Sequence, residues 1–141
     1  MQGANWQSKS MDDEGFMTSI LVLDDNFIVG SDIASILSAN GYPKTILVGT
    51  SREALEKIKT DPIEAAIIDL MISGGQTTEE VGLALLKKNI PFFFLTGYTR
   101  DASSINPAFK DVHVQPKPYR EADLLAGLAK ILPDRTGATS G

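Results

Sequence analysis

The sequence contains no cysteine. Disulfides, thiolate metal sites and cysteine nucleophiles are therefore excluded, and a reducing cytoplasm is the expected location. Long apolar runs are also missing: nothing approaches the roughly 20 residues that span a bilayer, so no membrane contact is expected. The first residues, MQGANWQSKSMDDEGFMTS, lack the basic start and apolar stretch of a signal peptide. Positive charge is in short supply, with a formal net charge of −5. Non-specific nucleic-acid binding needs a basic footprint, so no nucleic-acid partner is expected. Histidine occurs once, as His113, between Val112 and Val114 in an apolar stretch. That setting reads as structural rather than catalytic.

What is present fits one domain. A chain of 141 residues can bury a core without cross-links. Residues 1–18 are polar, with an acidic Asp12-Asp13-Glu14 run and a lone Trp6, and read as a tail. Residues 133–141, from Pro133 onward, read as a second tail. The folded part is expected over 19–132.

Between the tails, apolar runs alternate with helical periodicity. Ile20 to Leu23 reads as a buried strand, and Asn26 to Ala39 as a helix with Phe27, Ile28, Ile33, Ile36 and Leu37 apolar. Thr45 to Val48 is a second strand. Ser51 to Lys59 is a helix that Ser51 can cap, with Ala54, Leu55 and Ile58 on one face. Ala65 to Ile68, Pro91 to Leu95 and Asp111 to Val114 read as further strands. Thr78 to Lys88 and Arg120 to Leu132 read as helices. The segment Arg100 to Phe109 is weak, because Ser103, Ser104, Asn106 and Pro107 are poor interior helix residues. Continuous apolar strands imply a sheet covered on both faces, hence parallel. Right-handed crossovers then give an α/β doubly wound five-stranded sheet of flavodoxin-like strand order.

Function in such sheets sits at the carboxyl ends of the strands. There the sequence places Asp24-Asp25, Asp69, Thr96-Gly97 and Lys117-Pro118. Three carboxylates in one pocket repel, and a divalent cation resolves the repulsion. Oxygen-only ligands favour Mg²⁺, or Mn²⁺, over zinc. Two acids stand where a nucleotide-binding fold puts a glycine-rich phosphate loop, which argues against a bound flavin or dinucleotide. A carboxylate can instead act as nucleophile toward a phosphoryl group, with Lys117 supplying positive charge and the Thr96 hydroxyl a hydrogen bond.

The motifs ILVLDDN, the lone aspartate of AAIIDLM, LTG, and Lys117-Pro118-Tyr119 resemble the receiver domains of two-component response regulators, over about Ser19 to Leu132. The resemblance implies that Asp69 is the phosphoacceptor, that Asp25 ligates the metal directly, and that Asp24 does so mainly through water. The main-chain carbonyl of Met71 completes the implied metal site. Thr96 and Lys117 are the implied switch and charge-partner residues. It further implies a phosphorelay protein that is not an enzyme in the usual sense, catalysing only its own phosphorylation and dephosphorylation. Its expected partners are a sensor histidine kinase or phosphotransfer protein and a downstream protein. Too few residues follow for an attached output module, so output is expected through protein contacts or as a phosphate carrier or sink. The segment PFFFLTGY is similar to a subfamily of stand-alone receivers marked by Phe-Ala-Thr-Gly-x-Tyr, with Leu95 in place of Ala and Thr99 in place of the final Tyr.

Three positions depart from the family pattern. Val114 stands where most receivers carry an aromatic residue. Ser73-Gly74-Gly75 replaces a proline after the phosphoacceptor. Pro116 directly precedes Lys117. Met71 and Tyr98 flank the expected phosphoryl position, so self-dephosphorylation is expected to be slow. Two alternatives stand beside this reading. One is a Mg²⁺-dependent aspartate-nucleophile phosphatase of the haloacid dehalogenase type; the other is a degenerate receiver used only for binding.

Overall fold

Five strands with few exposed residues set the architecture of the computed structural model, which describes residues 19–72, 76–97 and 106–132. In chain order they are β1 (Ser19–Leu23), β2 (Lys44–Val48), β3 (Ala65–Asp69), β6 (Phe92–Thr96) and β7 (Val114–Pro116). A short pair, β4 (Met71–Ile72) and β5 (Gln76–Thr77), lies between β3 and β6. The helices are α1 (Phe27–Ala39), α2 (Ser51–Thr60), α3 (Glu79–Lys87) and α4 (Glu121–Ile131). The strand order is β2-β1-β3-β6-β7, every pairing parallel. This is the expected doubly wound order, with the chain reversing direction beside β1.

Alternation along each strand divides the core in two. Leu21, Leu23, Ala66, Ile68, Phe92 and Phe94 meet Ala54, Ile58, Val81 and Leu85 of α2 and α3. Ile20, Val22, Ala65, Ile67, Phe93 and Leu95 meet Ile33, Leu37, Leu124 and Leu128 of α1 and α4. Each large side chain buried this way contributes roughly 1.5–3 kcal/mol. Three glycines permit close packing of the helices: a Cβ on Gly30 would lie 2.5 Å from Leu47 of β2. A Cβ on Gly82 would lie 2.7 Å from the Phe109 ring, and one on Gly127 3.0 Å from Phe93.

Several local expectations shift. The last strand begins at Val114, not Asp111, because the Val112 N–H closes a turn onto the Phe109 carbonyl at 2.9 Å. Pro116 is tolerated because β7 is an edge strand. The cap of α2 is Thr50 rather than Ser51: its hydroxyl accepts the Glu53 N–H at 3.1 Å. Phe27 and Ile28 are not core residues but are 75% and 79% exposed. The buried stripe of α1 is Gly30, Ile33 and Leu37, and Phe27 and Ile28 fall outside it in the first turn. The β4–β5 pairing, Met71 with Thr77 and Ile72 with Gln76, was not expected from sequence. Of the weak segment, only its end is described, a 3₁₀ turn over Pro107–Phe109. Both tails, Trp6, Ser73-Gly74-Gly75 and Tyr98 lie outside the described residues.

Candidate functional site

The carboxyl ends of β1, β3, β6 and β7 converge on one acidic edge. Asp24 follows β1, and its N–H donates to the Val48 carbonyl of β2 at 3.1 Å. This holds the turn so that the Asp24 side chain is buried. Its Oδ1 accepts the Asn26 N–H at 2.9 Å. Asn26 in turn caps α1, its Oδ1 accepting from the N–H groups of Ile28 and Val29 at 3.0 and 3.2 Å. One short segment thus aims a carboxylate and starts a helix together. Asp25 is exposed beside it.

Asp69 is the last residue of β3 and only 7% exposed. Its Oδ1 accepts the Met71 N–H at 3.3 Å. Thr96 ends the neighbouring strand β6 and is buried. Its carbonyl accepts the Lys117 N–H at 2.8 Å, which pins the start of the lysine loop to the end of β6. The Lys117 ammonium then reaches across the edge and lies 3.2 Å from Asp24 Oδ2 and 3.2 Å from Asp69 Oδ2.

Burial pushes the Asp69 carboxyl above the usual carboxylate range; the Lys117 charge opposes this but does not cancel it. Burial alone would lower the Lys117 ammonium. The charges of Asp69 and Asp24, with their hydrogen bonds, outweigh it and raise the lysine above its ordinary value. Lys117 is therefore a fixed cation between two acids.

Carboxylate oxygens of Asp24, Asp25 and Asp69 all lie within 4.8 Å of one another. The donor set is oxygen only, two of its three residues are buried and one faces solvent. That suits a hard divalent ion which retains water, such as Mg²⁺. The structure thus brings together Asp24, Asp25, Asp69 and Lys117, with Thr96 one strand away and Met71 two residues beyond Asp69. His113 stands apart, its ring tilted against Phe93 with centroids 5.8 Å apart.

Two contacts were not visible in the sequence. Thr78, fully buried, donates its hydroxyl to the Asp69 carbonyl at 2.8 Å and also reaches that of Leu70 at 3.3 Å. Its place before Glu79-Glu80 signals a helix cap, yet the hydroxyl points back to the strand. Tyr119 donates to Asp32 Oδ2 on α1 at 2.8 Å, bracing the segment that carries Lys117 against that helix. No periodicity links positions so far apart.

No family model matches the chain. It is 32% identical over 106 residues to the response regulator RR06 of Streptococcus pneumoniae, covering 72% of this chain and 46% of that protein. It is 32% identical over 119 residues to the response regulator MprA of Mycolicibacterium vanbaalenii, covering 80% and 49% respectively. The chain spans between 37% and 53% of the length of the curated relatives it matches. Among solved structures, SdrG of Sphingomonas melonis superposes with a TM-score of 0.68 at 29% identity, over 81% of this chain and 95% of that one. With its sheet order, its acidic edge and these relatives together, the chain is a response-regulator receiver domain.

Proposed function

We propose that Asp69 accepts a phosphoryl group from a sensor histidine kinase or phosphotransfer protein, in a reaction that depends on Mg²⁺. The observation that carries this reading is the Lys117 ammonium at 3.2 Å from both Asp24 and Asp69, inside a three-carboxylate cluster. An Asp69 carboxylate oxygen attacks phosphorus, and the bond from phosphorus to the donor's histidine nitrogen breaks. The nitrogen keeps the electron pair. Lys117 and the Thr96 hydroxyl then face the transferred oxygens, as positive charge and hydrogen-bond donor. Asp24, Asp25, Asp69 and the Met71 main-chain carbonyl would hold the metal, which when bound supplies further positive charge to the phosphoryl oxygens.

In this reading the domain over 19–132 is a cytoplasmic phosphorelay module. It acts on no other substrate, and it signals through protein contacts or serves as a carrier or sink of phosphoryl groups. The test is incubation with acetyl phosphate and Mg²⁺, read by intact mass. A single phosphoryl adduct is expected on the wild type and none on Asp69→Asn. Equal behaviour of the two proteins would favour a binding-only domain, and sustained turnover of a phosphomonoester a phosphatase.

A further inference from the structure

The α2–α3 layer carries a groove of about 510 Å³ that the acidic edge does not use. Leu55, Ile58 and Ala84 form its apolar lining, and Lys59, Lys87 and Lys88 complete it. Lysine stems can cover apolar surface while their ammonium groups stay in water. Lys59 and Lys87 are exposed, and Lys88 donates to the Ile58 carbonyl at 2.8 Å, joining the two helices across the groove. In a chain of net charge −5, this is a basic rim around an apolar floor. It matches a segment that carries acids and large apolar side chains together.

Such a segment stands directly before β1: Met11-Asp12-Asp13-Glu14-Gly15-Phe16-Met17. Topology brings the groove and the start of β1 to the same end of the molecule. The groove residues lie toward the carboxyl ends of α2 and α3. The Glu64 N–H, in the loop leaving α2, donates to the Ser19 carbonyl at 2.9 Å. The chain thus enters β1 beside the end of α2. Ser19 stands seven positions after Asp12, an extended reach of about 23–25 Å.

We propose that residues 11–17 dock in cis in the α2–α3 groove, with Phe16 and Met17 on the apolar floor and the three acids against the three lysines. The charges set register and make the contact salt-sensitive, since exposed ion pairs are individually weak. The apolar pair supplies most of the hold. The docking does not depend on phosphorylation of Asp69.

Because the chain has no cysteine, disulfide trapping is clean. The full chain carrying Gly15→Cys and Ala84→Cys keeps Phe16, Met17, the three acids and the three lysines, with a small thiol added to the floor at Ala84. Its intramolecular disulfide is expected to form at least tenfold faster than that of a Gly15→Cys, Ser38→Cys control, in which the second thiol lies on α1 in the opposite layer. Adding Lys59→Glu and Lys87→Glu should return the rate to the control level, with circular dichroism unchanged. As a second readout, Asp12→Lys, Asp13→Lys and Glu14→Lys together should move the amide resonances of Leu55, Ala84 and Lys87. Trapping at the control rate, or no movement of those resonances, overturns the proposal. A disulfide-linked dimer as the main product also overturns it, assigning the groove to a second copy of the chain.

Discussion

At the residue scale, the acidic edge is held by polar contacts that each have one clear substitution. Lys117 separates Asp24 from Asp69, so Lys117→Met leaves two nearly buried carboxylates facing each other. With the lysine itself partly exposed, a loss of about 1–3 kcal/mol is expected, below the figure for a fully buried pair. Urea unfolding in the absence of divalent ions measures it, and added Mg²⁺ should recover part of the loss. Thr78→Val removes the hydroxyl that reaches the Asp69 and Leu70 carbonyls. It should cost roughly 1–2 kcal/mol by the same assay. Tyr119→Phe should cost about 0.5–1.5 kcal/mol at neutral pH. Burial, then the hydrogen bond to Asp32, push the Tyr119 hydroxyl well above its ordinary pKa. A raised folded-state pKa stabilises below the unfolded value and loses that contribution as pH rises toward the folded one. The gap between wild type and Tyr119→Phe should therefore narrow above about pH 10, as urea midpoints taken at pH 7 and at alkaline pH would show.

At the scale of elements, α3 and the turn over Pro107–Phe109 meet β6 through an aromatic cluster. Phe94 meets Phe92 and Phe109 edge-on, with ring centroids 5.3 and 5.1 Å apart. Gly82 leaves room for this cluster, since its Cβ would fall 2.7 Å from Phe109 and 3.2 Å from Phe94. Gly82→Ala gains about 1 kcal/mol of helix propensity but overpacks a core site. A net destabilisation of about 1–2 kcal/mol is expected; an unchanged or higher urea midpoint would show that the rings yield. Val114, where an aromatic was the family norm, pairs with Phe94 in the β6–β7 ladder and packs partly buried on the same core. The aromatic cluster on this face consists of Phe92, Phe94 and Phe109.

At the scale of the whole molecule, an ion held by the proposed carboxylate site would couple binding to stability. An ion that binds the folded state alone stabilises it by about 2.7 kcal/mol at 100 times its dissociation constant. Mg²⁺ should accordingly raise the melting temperature above that in NaCl of equal ionic strength. Asp25→Asn together with Asp69→Asn should remove the effect. No helix among the described residues is long and apolar enough to cross a membrane. The chain's match to about half the length of its curated relatives makes the receiver domain the part they share.

The sequence by itself determined the layered fold and the membership of the acidic edge. Apolar runs such as Ile20-Leu21-Val22-Leu23 point to a doubly covered parallel sheet, and the runs of β1, β3 and β6 end at the candidate residues Asp24, Asp69 and Thr96. Composition and periodicity are local properties, and the sheet order follows from chirality. Only the tertiary structure decided which polar atoms meet. That Lys117 bridges Asp24 and Asp69, that Thr78 turns back to Asp69, and that Tyr119 braces against Asp32 are contacts across distant segments. The same holds for Phe27 and Ile28, which belong to the apolar pattern of α1 but are left exposed by the fold. Hydrophobic patterning marks most of the buried residues, but the partner of a buried polar group depends on angstrom-scale geometry that exists only once the strands are registered.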